Sequence, residues 1–173
     1  PPRDQVREPV DRQVGPLAGP VRRLQLFSFE NDLDALRLAL RLQHEFPYLR
    51  PAAPAGILTK GRWQSRHHAG LSWVLLHGDF LVTMADAPAV PDLIFYDMFS
   101  SKRSGDPWTL STFQGILAAC TGQATELYTY TCSTANRAAL LAAGFYVAKG
   151  RNAGEKLETT IALTPAAFRA PSG

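Results

Sequence analysis

The chain has 173 residues, of which 46% are hydrophobic and 19% charged, a composition typical of a globular domain large enough to bury a core. It contains no apolar run of roughly eighteen residues and no apolar signal-peptide segment near its start, so the sequence predicts neither a membrane span nor a secretory leader. The formal net charge of +3 permits contact with a polyanion without requiring one.

The chain opens with a segment rich in proline and glycine. Residues 1–20 contain five prolines and two glycines, which predicts an irregular arm or linker ahead of one domain over 21–173. Residues 24–29 then form an apolar run typical of a buried strand, which we expect to stop at Glu30.

A helix is expected directly after this strand. Asn31 or Asp32 can cap its start, leucines recur at helical spacing behind them, and Pro47 is predicted to end it. The following stretch, 51–70, is rich in Pro, Ala, Gly and basic residues, and we interpret it as an insertion or loop.

Two further strands are predicted in the middle of the chain. Residues 71–77 form the first, closed by Gly78 and Asp79. Residues 92–97 form the second, and their near-continuous apolar run is typical of a strand covered on both faces.

The rest of the chain continues the alternation of helices and strands. We expect a Thr-capped helix at 109–120 and a strand at 126–131. An Ala/Leu helix that ends at a glycine is expected at 133–144, and a closing pair of strands at 145–149 and 159–163. Alternating strands and helices predict an α/β fold with a mostly parallel sheet and helices on both faces. No helix separates the last two strands, so we expect one of them to run antiparallel.

Acidic residues stand at three successive strand ends: Glu30, Asp79 and Asp97. Ligands of open α/β sheets bind beyond the carboxyl ends of the strands, so these positions are the informative ones. Glu30 could accept hydrogen bonds from both ribose hydroxyls of a nucleoside, or simply favour the N-terminus of the next helix. Asp79 could bind an adenine amino group, or only shape a turn.

Asp97 also opens a polar loop that ends in an aromatic residue. A carboxylate there could orient an amine nucleophile, and the loop carries four further candidate residues, Phe99, Lys102, Arg103 and Trp108. The basic pair could meet a phosphate, and the two rings could stack against a base or wall the pocket. The alternative is a solvated loop with both rings packed into the core.

The cysteines and histidines indicate no metal site. Cys120 and Cys132 have neither metal-ligand spacing nor the density of a disulfide scaffold, so we expect a reduced, cytoplasmic protein with both thiols buried. The four histidines show no zinc-binding arrangement.

Taken together, the loop and the segments around it resemble one family: the MnmC-like (DUF752) methyltransferase domains, which make 5-methylaminomethyl-2-thiouridine at the tRNA wobble position. The likeness covers about residues 24–163 and is carried by Phe29-Glu30-Asn31-Asp32, Asp97, Phe99, Ser100, Pro107-Trp108-Thr109, Tyr128-Thr129-Tyr130-Thr131, Ser133, Ala142-Ala143-Gly144-Phe145 and Gly154-Glu155-Lys156. Met98, Ser101 and 104–106 depart from the family pattern, which leaves room for a different amine substrate.

The resemblance implies a Rossmann-like class I methyltransferase sheet that uses S-adenosyl-L-methionine and acts on tRNA. It implies that Glu30, Asp79 and Asp97 bind the cofactor, and that Asp97 also holds the aminomethyl group whose nitrogen attacks the methyl. Enzymes of this fold begin with a strand and a glycine-rich turn, and no such element precedes residue 24. We therefore expect either a fragment or a domain without that loop, with sheet edges open to a second copy or a partner chain.

Two alternatives stay open beside tRNA modification. One is a methyltransferase of the same fold acting on another small amine. The other is a non-catalytic binding or assembly protein that has lost the cofactor loop.

Overall fold

The computed structural model describes residues 23–49, 51–98, 106–150 and 158–169. The strands are β1 (Leu24–Glu30), β2 (Arg62–Gln64), β3 (Leu71–His77), β4 (Leu93–Phe95), β5 (Glu126–Thr129), β6 (Tyr146–Gly150) and β7 (Thr159–Leu163). The helices are α1 (Asp34–Arg41), α2 (Ala52–Lys60), α3 (Phe80–Thr83), α4 (Leu110–Ala119), α5 (Thr134–Ala143) and α6 (Pro165–Arg169). Short 3-10 helices lie at Pro47–Leu49, Met84–Asp86 and Asp106–Trp108.

The described strands form two sheets. In the first, of order β1-β3-β2, β1 and β3 are parallel and β2 is antiparallel to β3. In the second, of order β4-β5-β7-β6, β4 and β5 are parallel and β7 is antiparallel to both of its neighbours. This is the mixed α/β class that the sequence predicts, with the expected antiparallel strand near the end of the chain.

The main core lies on one face of the second sheet. Its buried side chains come from β5, β7 and the helices α4 and α5, with Tyr96 just beyond β4, and include Phe113, Ile116, Leu127, Leu140 and Ala162. Full burial of a side chain such as Phe113 or Leu127 contributes about 1.5–3 kcal/mol relative to an exposed one. This packing fixes the carboxyl ends of β4 and β5, and the candidate Asp97 follows β4.

Helix termini in the second half follow the sequence prediction. Thr109 caps α4, because its hydroxyl accepts a hydrogen bond from the Thr112 N–H at 3.3 Å. Gly144 ends α5 with φ of +107°, a left-handed conformation that glycine adopts without the strain of a side chain.

Two predictions in the first half are wrong. The segment 51–70 is not a loop, since it contains α2 and the strand β2. Its alanines are the strongest helix formers, and Gly61, with φ of +63°, supplies the helix end. The helix after β1 stops at Arg41, well before Pro47, which instead begins a 3-10 helix.

The expectation that β4 is covered on both faces is also wrong for the described residues. Phe95 is 77% exposed and Leu93 is 47% exposed, although Ile94 between them packs against the core. The register places Tyr128 and Ile161 in the same row as Phe95. We call this row, with Leu93, the open face of the second sheet.

The predictions for the two cysteines and for a membrane span can be compared with the structure. Cys120 is buried as expected, but Cys132 is exposed, because it lies just beyond β5 rather than inside it. Across the described ranges, no helix is long and apolar enough to cross a bilayer. The same residues contain no cluster of His, Cys, Asp and Glu suited to a metal ion.

Candidate functional site

The three predicted carboxylates come together. Glu30 ends β1, Asp79 follows β3 and Asp97 follows β4, and all three line one cleft of about 270 Å³. The strand ends of the two sheets therefore meet at a single site. The remaining described lining residues are Phe29, Asn31, Gly78, Phe80, Leu81, Met98, Asp106 and Pro107.

Glu30 is held by the turn that follows β1. Its Oε1 accepts hydrogen bonds from the backbone N–H groups of Asn31, at 2.9 Å, and Asp32, at 3.1 Å. Asp32 in turn accepts from the Asp34 N–H at 2.8 Å, at the start of α1. Glu30 thus shapes the turn ahead of the helix, and the same bonds fix its carboxylate at the cleft.

Asp79 is the N-cap of the short helix α3. Its Oδ1 accepts a hydrogen bond from the Leu81 N–H at 2.8 Å. Gly78 before it has φ of +144°, and a side chain there would approach the Thr83 methyl to 2.9 Å. The Gly78 N–H also donates to the Glu30 carbonyl at 3.0 Å, so this turn is tied to the end of β1. The predicted turn role of Asp79 is present, and it places the carboxylate in the cleft.

Asp97 lies where two cavities adjoin. It lines the cleft described above and also a larger cavity of about 570 Å³ on its other side. The walls of the larger cavity include Phe95, Tyr128 and Ile161 from the open face of the second sheet. A carboxylate in this position can contact ligand groups from either side.

A row of aromatic rings joins the two sheets beside the cleft. Edge-to-face contacts run from Phe29 to Phe80 at 5.2 Å between ring centroids, and from Phe80 to Tyr96 at 6.0 Å. The row continues from Tyr96 to Trp108 at 5.2 Å and from Trp108 to Tyr130 at 6.1 Å. Such pairs contribute about 0.5–1.5 kcal/mol each beyond the area they bury. They hold the ends of β1 and β4 in a fixed relation.

Of the four candidates in the loop after β4, the structure describes Trp108. Phe99, Lys102 and Arg103 lie outside the described residues. Trp108 is 6% exposed and packs in the core beside Tyr96, as in the alternative prediction of a ring packed into the core. A substrate-binding role for these four stays a prediction.

Tyr130 is a site residue that the sequence reasoning missed. It follows β5, lines the larger cavity with Asp97, and donates a hydrogen bond from its hydroxyl to the Met98 carbonyl at 2.6 Å. Burial, and then the negative charge of Asp97, raise the pKa of Tyr130. Its position directly beyond a parallel strand could have indicated it, but the prediction from strand ends considered only acidic residues.

The described cleft suits the nucleoside part of a cofactor. Carboxylates on Glu30 and Asp79 can accept hydrogen bonds from hydroxyl and amino groups, and Phe29 and Phe80 offer apolar surface. The negative charge of the carboxylates in the cleft also favours a ligand that carries a positively charged centre. Among the described lining residues there is no Lys or Arg to pair with a ligand carboxylate.

Comparisons with known proteins give a consistent family. The family model described as "S-adenosyl-L-methionine-dependent methyltransferase" matches residues 57–165. The "tRNA 5-methylaminomethyl-2-thiouridine biosynthesis bifunctional protein MnmC" of Ralstonia nicotianae is 29% identical over 136 residues, which are 79% of this chain and 19% of that protein. The crystal structure of MNMC2 from Aquifex aeolicus matches with a TM-score of 0.54 at 22% identity, over 83% of this chain and 55% of that chain.

Proposed function

This chain belongs to the S-adenosyl-L-methionine-dependent methyltransferases, and from that premise we propose that it methylates the aminomethyl nitrogen of a modified wobble uridine in tRNA. The name of the Ralstonia relative supports this substrate, since it refers to 5-methylaminomethyl-2-thiouridine biosynthesis in tRNA. The observation that carries the proposal is the convergence of Glu30, Asp79 and Asp97 on one cleft.

In this proposal Glu30 and Asp79 hold the adenosine of the cofactor. The Glu30 carboxylate accepts hydrogen bonds from the ribose diol, and Asp79 accepts one from the adenine amino group. Both side chains are already fixed by backbone N–H groups, so little conformational entropy is lost when they bind. Residues outside the described cleft would meet the carboxylate of the methionine part.

Asp97 orients the acceptor amine. The bound cofactor supplies an electrophilic methyl group on a sulfonium centre. Asp97 accepts a hydrogen bond from an N–H of the neutral amine, which directs the nitrogen lone pair toward that methyl. As the new N–C bond forms, the bond between the methyl group and sulfur would break, the neutral thioether S-adenosylhomocysteine would leave, and the ammonium product would release a proton to solvent. The amine is already a nucleophile, so the rate depends chiefly on proximity and alignment, and no strong general base is required.

Substitution of Asp97 tests this role. We expect Asp97→Ala to lower the rate of methyl transfer by about 100-fold, the scale on which misplacing a reacting group acts. Calorimetry should give a dissociation constant for S-adenosylmethionine that changes much less, since Glu30 and Asp79 remain.

The matched control is Asp86→Asn, which alters an exposed carboxylate outside the cleft and should leave both quantities unchanged. Equal losses of cofactor binding and turnover in Asp97→Ala would contradict the assigned role. Absence of any heat with S-adenosylmethionine in the wild-type chain would contradict enzymatic function altogether.

The substrate is tested separately. We expect methyl transfer to bulk tRNA carrying 5-aminomethyl-2-thiouridine and none to small free amines. The reverse pattern would identify a small-amine methyltransferase, for which the Met98 and Ser101 departures in the loop after β4 leave room.

We also propose that the working protein pairs the open strand edges. Within the described residues β1 pairs only with β3, and β4 pairs only with β5, so each is an edge strand. Unpaired edges are a template for association, and a strand from a second copy or from another polypeptide segment would satisfy their backbone groups.

A tRNA substrate and unpaired thiols suit a cytoplasmic location, which belongs to the same proposal.

A further inference from the structure

Two tyrosine hydroxyls bond the backbone on either side of residues 99–105. Tyr130, after β5, donates to the carbonyl of Met98, which is the residue after Asp97. Tyr96, after β4, donates to the carbonyl of Pro107. Residues 99–105 lie outside the described part of the chain, and both bonded carbonyls flank them.

Trp108 connects these two anchors. Its ring meets Tyr96 edge to face at 86° and Tyr130 at 80°. The short helix that carries Trp108 is tied to α4, since the Asp106 carbonyl accepts from the Thr112 hydroxyl at 2.7 Å. The Pro107 side is therefore held by several contacts in the core.

The Asp97 side is held by the Tyr130 hydroxyl and by the Met98 side chain, which packs against the core. The backbone ladder between β4 and β5 continues to the Tyr96 N–H, which donates to the Tyr128 carbonyl at 2.8 Å. Two residues further along, the Tyr130 hydroxyl donates to the Met98 carbonyl. This bond holds the carbonyl of Met98, the residue that follows Asp97, and Asp97 and Tyr130 both line the larger cavity.

From this geometry we infer that Tyr130 is a positioning residue for Asp97: its hydroxyl holds the Asp97–Met98 segment so that the carboxylate meets the acceptor amine at a fixed place. The inference rests on the proposed function of Asp97. The hydroxyl acts through the backbone and need not touch the substrate.

Tyr130→Phe removes the hydroxyl and keeps the ring that packs on Trp108. We expect kcat to fall about ten-fold, less than the roughly 100-fold that a 1 Å displacement can cause, with KM for tRNA and cofactor affinity within about two-fold of wild type. Tyr48→Phe is the matched control, because it also removes a tyrosine hydroxyl, while Tyr48 is 71% exposed and lines neither cavity. It should leave kcat within about two-fold of wild type.

A double-mutant cycle separates positioning from general stability. In an Asp97→Asn background, Tyr130→Phe should change kcat by less than about two-fold, because the group it positions has already been altered. A ten-fold fall in both backgrounds, or a wild-type kcat in Tyr130→Phe alone, would overturn the inference.

A second readout is independent of activity. The chain has two methionines, Met84 and Met98, so a sample labelled with ¹³C at the methionine methyl groups gives two assignable signals. Tyr130→Phe should shift or broaden the Met98 signal and leave that of Met84, while Tyr48→Phe should alter neither. An unmoved Met98 signal would overturn the inference, whereas a moved signal in a chain without methyl transfer would refute only the proposed function.

Discussion

Asp79 shows how one side chain can serve structure and ligand binding at once. The sequence left two interpretations of the Gly-Asp pair, a turn or an adenine contact. The structure contains the first, since Asp79 caps α3, and the cap aims the same carboxylate at the cleft. The two interpretations therefore do not exclude each other.

Two substitutions at Asp79 separate these roles. Asp79→Ala removes the cap and should lower the free energy of unfolding by about 1 kcal/mol. Asp79→Asn keeps a side-chain oxygen for the Leu81 N–H and should cost much less, measured by urea denaturation. Both should weaken S-adenosylmethionine binding in calorimetry. If Asp79→Asn binds the cofactor as wild type does, the charge of Asp79 has no role in binding.

Some of the site was predictable residue by residue and some was not. The acids at three strand ends follow from a general rule about where parallel sheets bind ligands, and the structure places them in one cleft. Tyr130 could not be placed in the same way, because its bond reaches Met98, which is 32 positions away along the chain. Both residues lie beyond their strands, so the contact depends on the pairing of β4 with β5 and on the path of the backbone after each, which local sequence patterns do not specify.

An arginine on helix α5 forms hydrogen bonds with β7, in addition to the contact of the two elements in the core. Arg137 donates from Nε to the Thr160 hydroxyl at 2.8 Å and from a terminal nitrogen to the Thr159 carbonyl at 3.0 Å. It also pairs with Glu158 at 2.5 Å, and Lys149 on β6 approaches the same carboxylate at 3.3 Å. Hydrogen bonds from Arg137 and Lys149, in that order, lower the pKa of Glu158.

This ion pair predicts an acid-sensitive contribution to stability. Since the pKa of Glu158 is lower in the folded chain than in the unfolded one, its contribution is present above the unfolded value. It is lost as the pH falls through the folded value. Glu158→Gln should flatten the decline of thermal stability below about pH 4.5, near the ordinary range of a glutamate. Calorimetry between neutral and acidic pH measures the decline of thermal stability. A decline in Glu158→Gln equal to that of the wild type would contradict this prediction.

The element predictions succeeded where local signals agree. β3 and α4 were placed correctly because an apolar run ending at Gly78, and a Thr109 cap ahead of an apolar periodic segment, are both local features. The segment 51–70 differs from the prediction because its prolines, glycines and basic residues favour a loop, whereas its alanines favour the helix that forms. There α2 packs on β2, so tertiary contact completes a helix of mixed local preference.

At the scale of the molecule, the alternation of strands and helices predicted the fold class but not the exposure of each face. One row of the second sheet, with Leu93, Phe95, Tyr128 and Ile161, lacks a covering layer among the described residues. A run as apolar as β4 is typical of a strand covered on both sides. Exposed apolar patches of this kind mark interaction surfaces.

We therefore expect the isolated chain to associate with increasing concentration. Phe95→Lys should reduce that association in light scattering while changing the free energy of unfolding by less than about 0.5 kcal/mol, because the ring is 77% exposed. Tyr48→Lys is the control, since Tyr48 is a 71% exposed aromatic outside the open face. A wild-type chain that stays monomeric at every concentration would contradict this prediction.

The order β5-β7-β6 has a consequence for synthesis. β7 follows β6 in the chain, yet it lies between β5 and β6 and forms hydrogen bonds with both. β7 begins 30 positions after the end of β5 and nine after the end of β6, so during translation, at about 5–20 residues per second, β5 emerges well before the strand that joins it to β6. The nascent polypeptide must keep β5 without its β7 neighbour for several seconds, a window in which a chaperone would find its binding site.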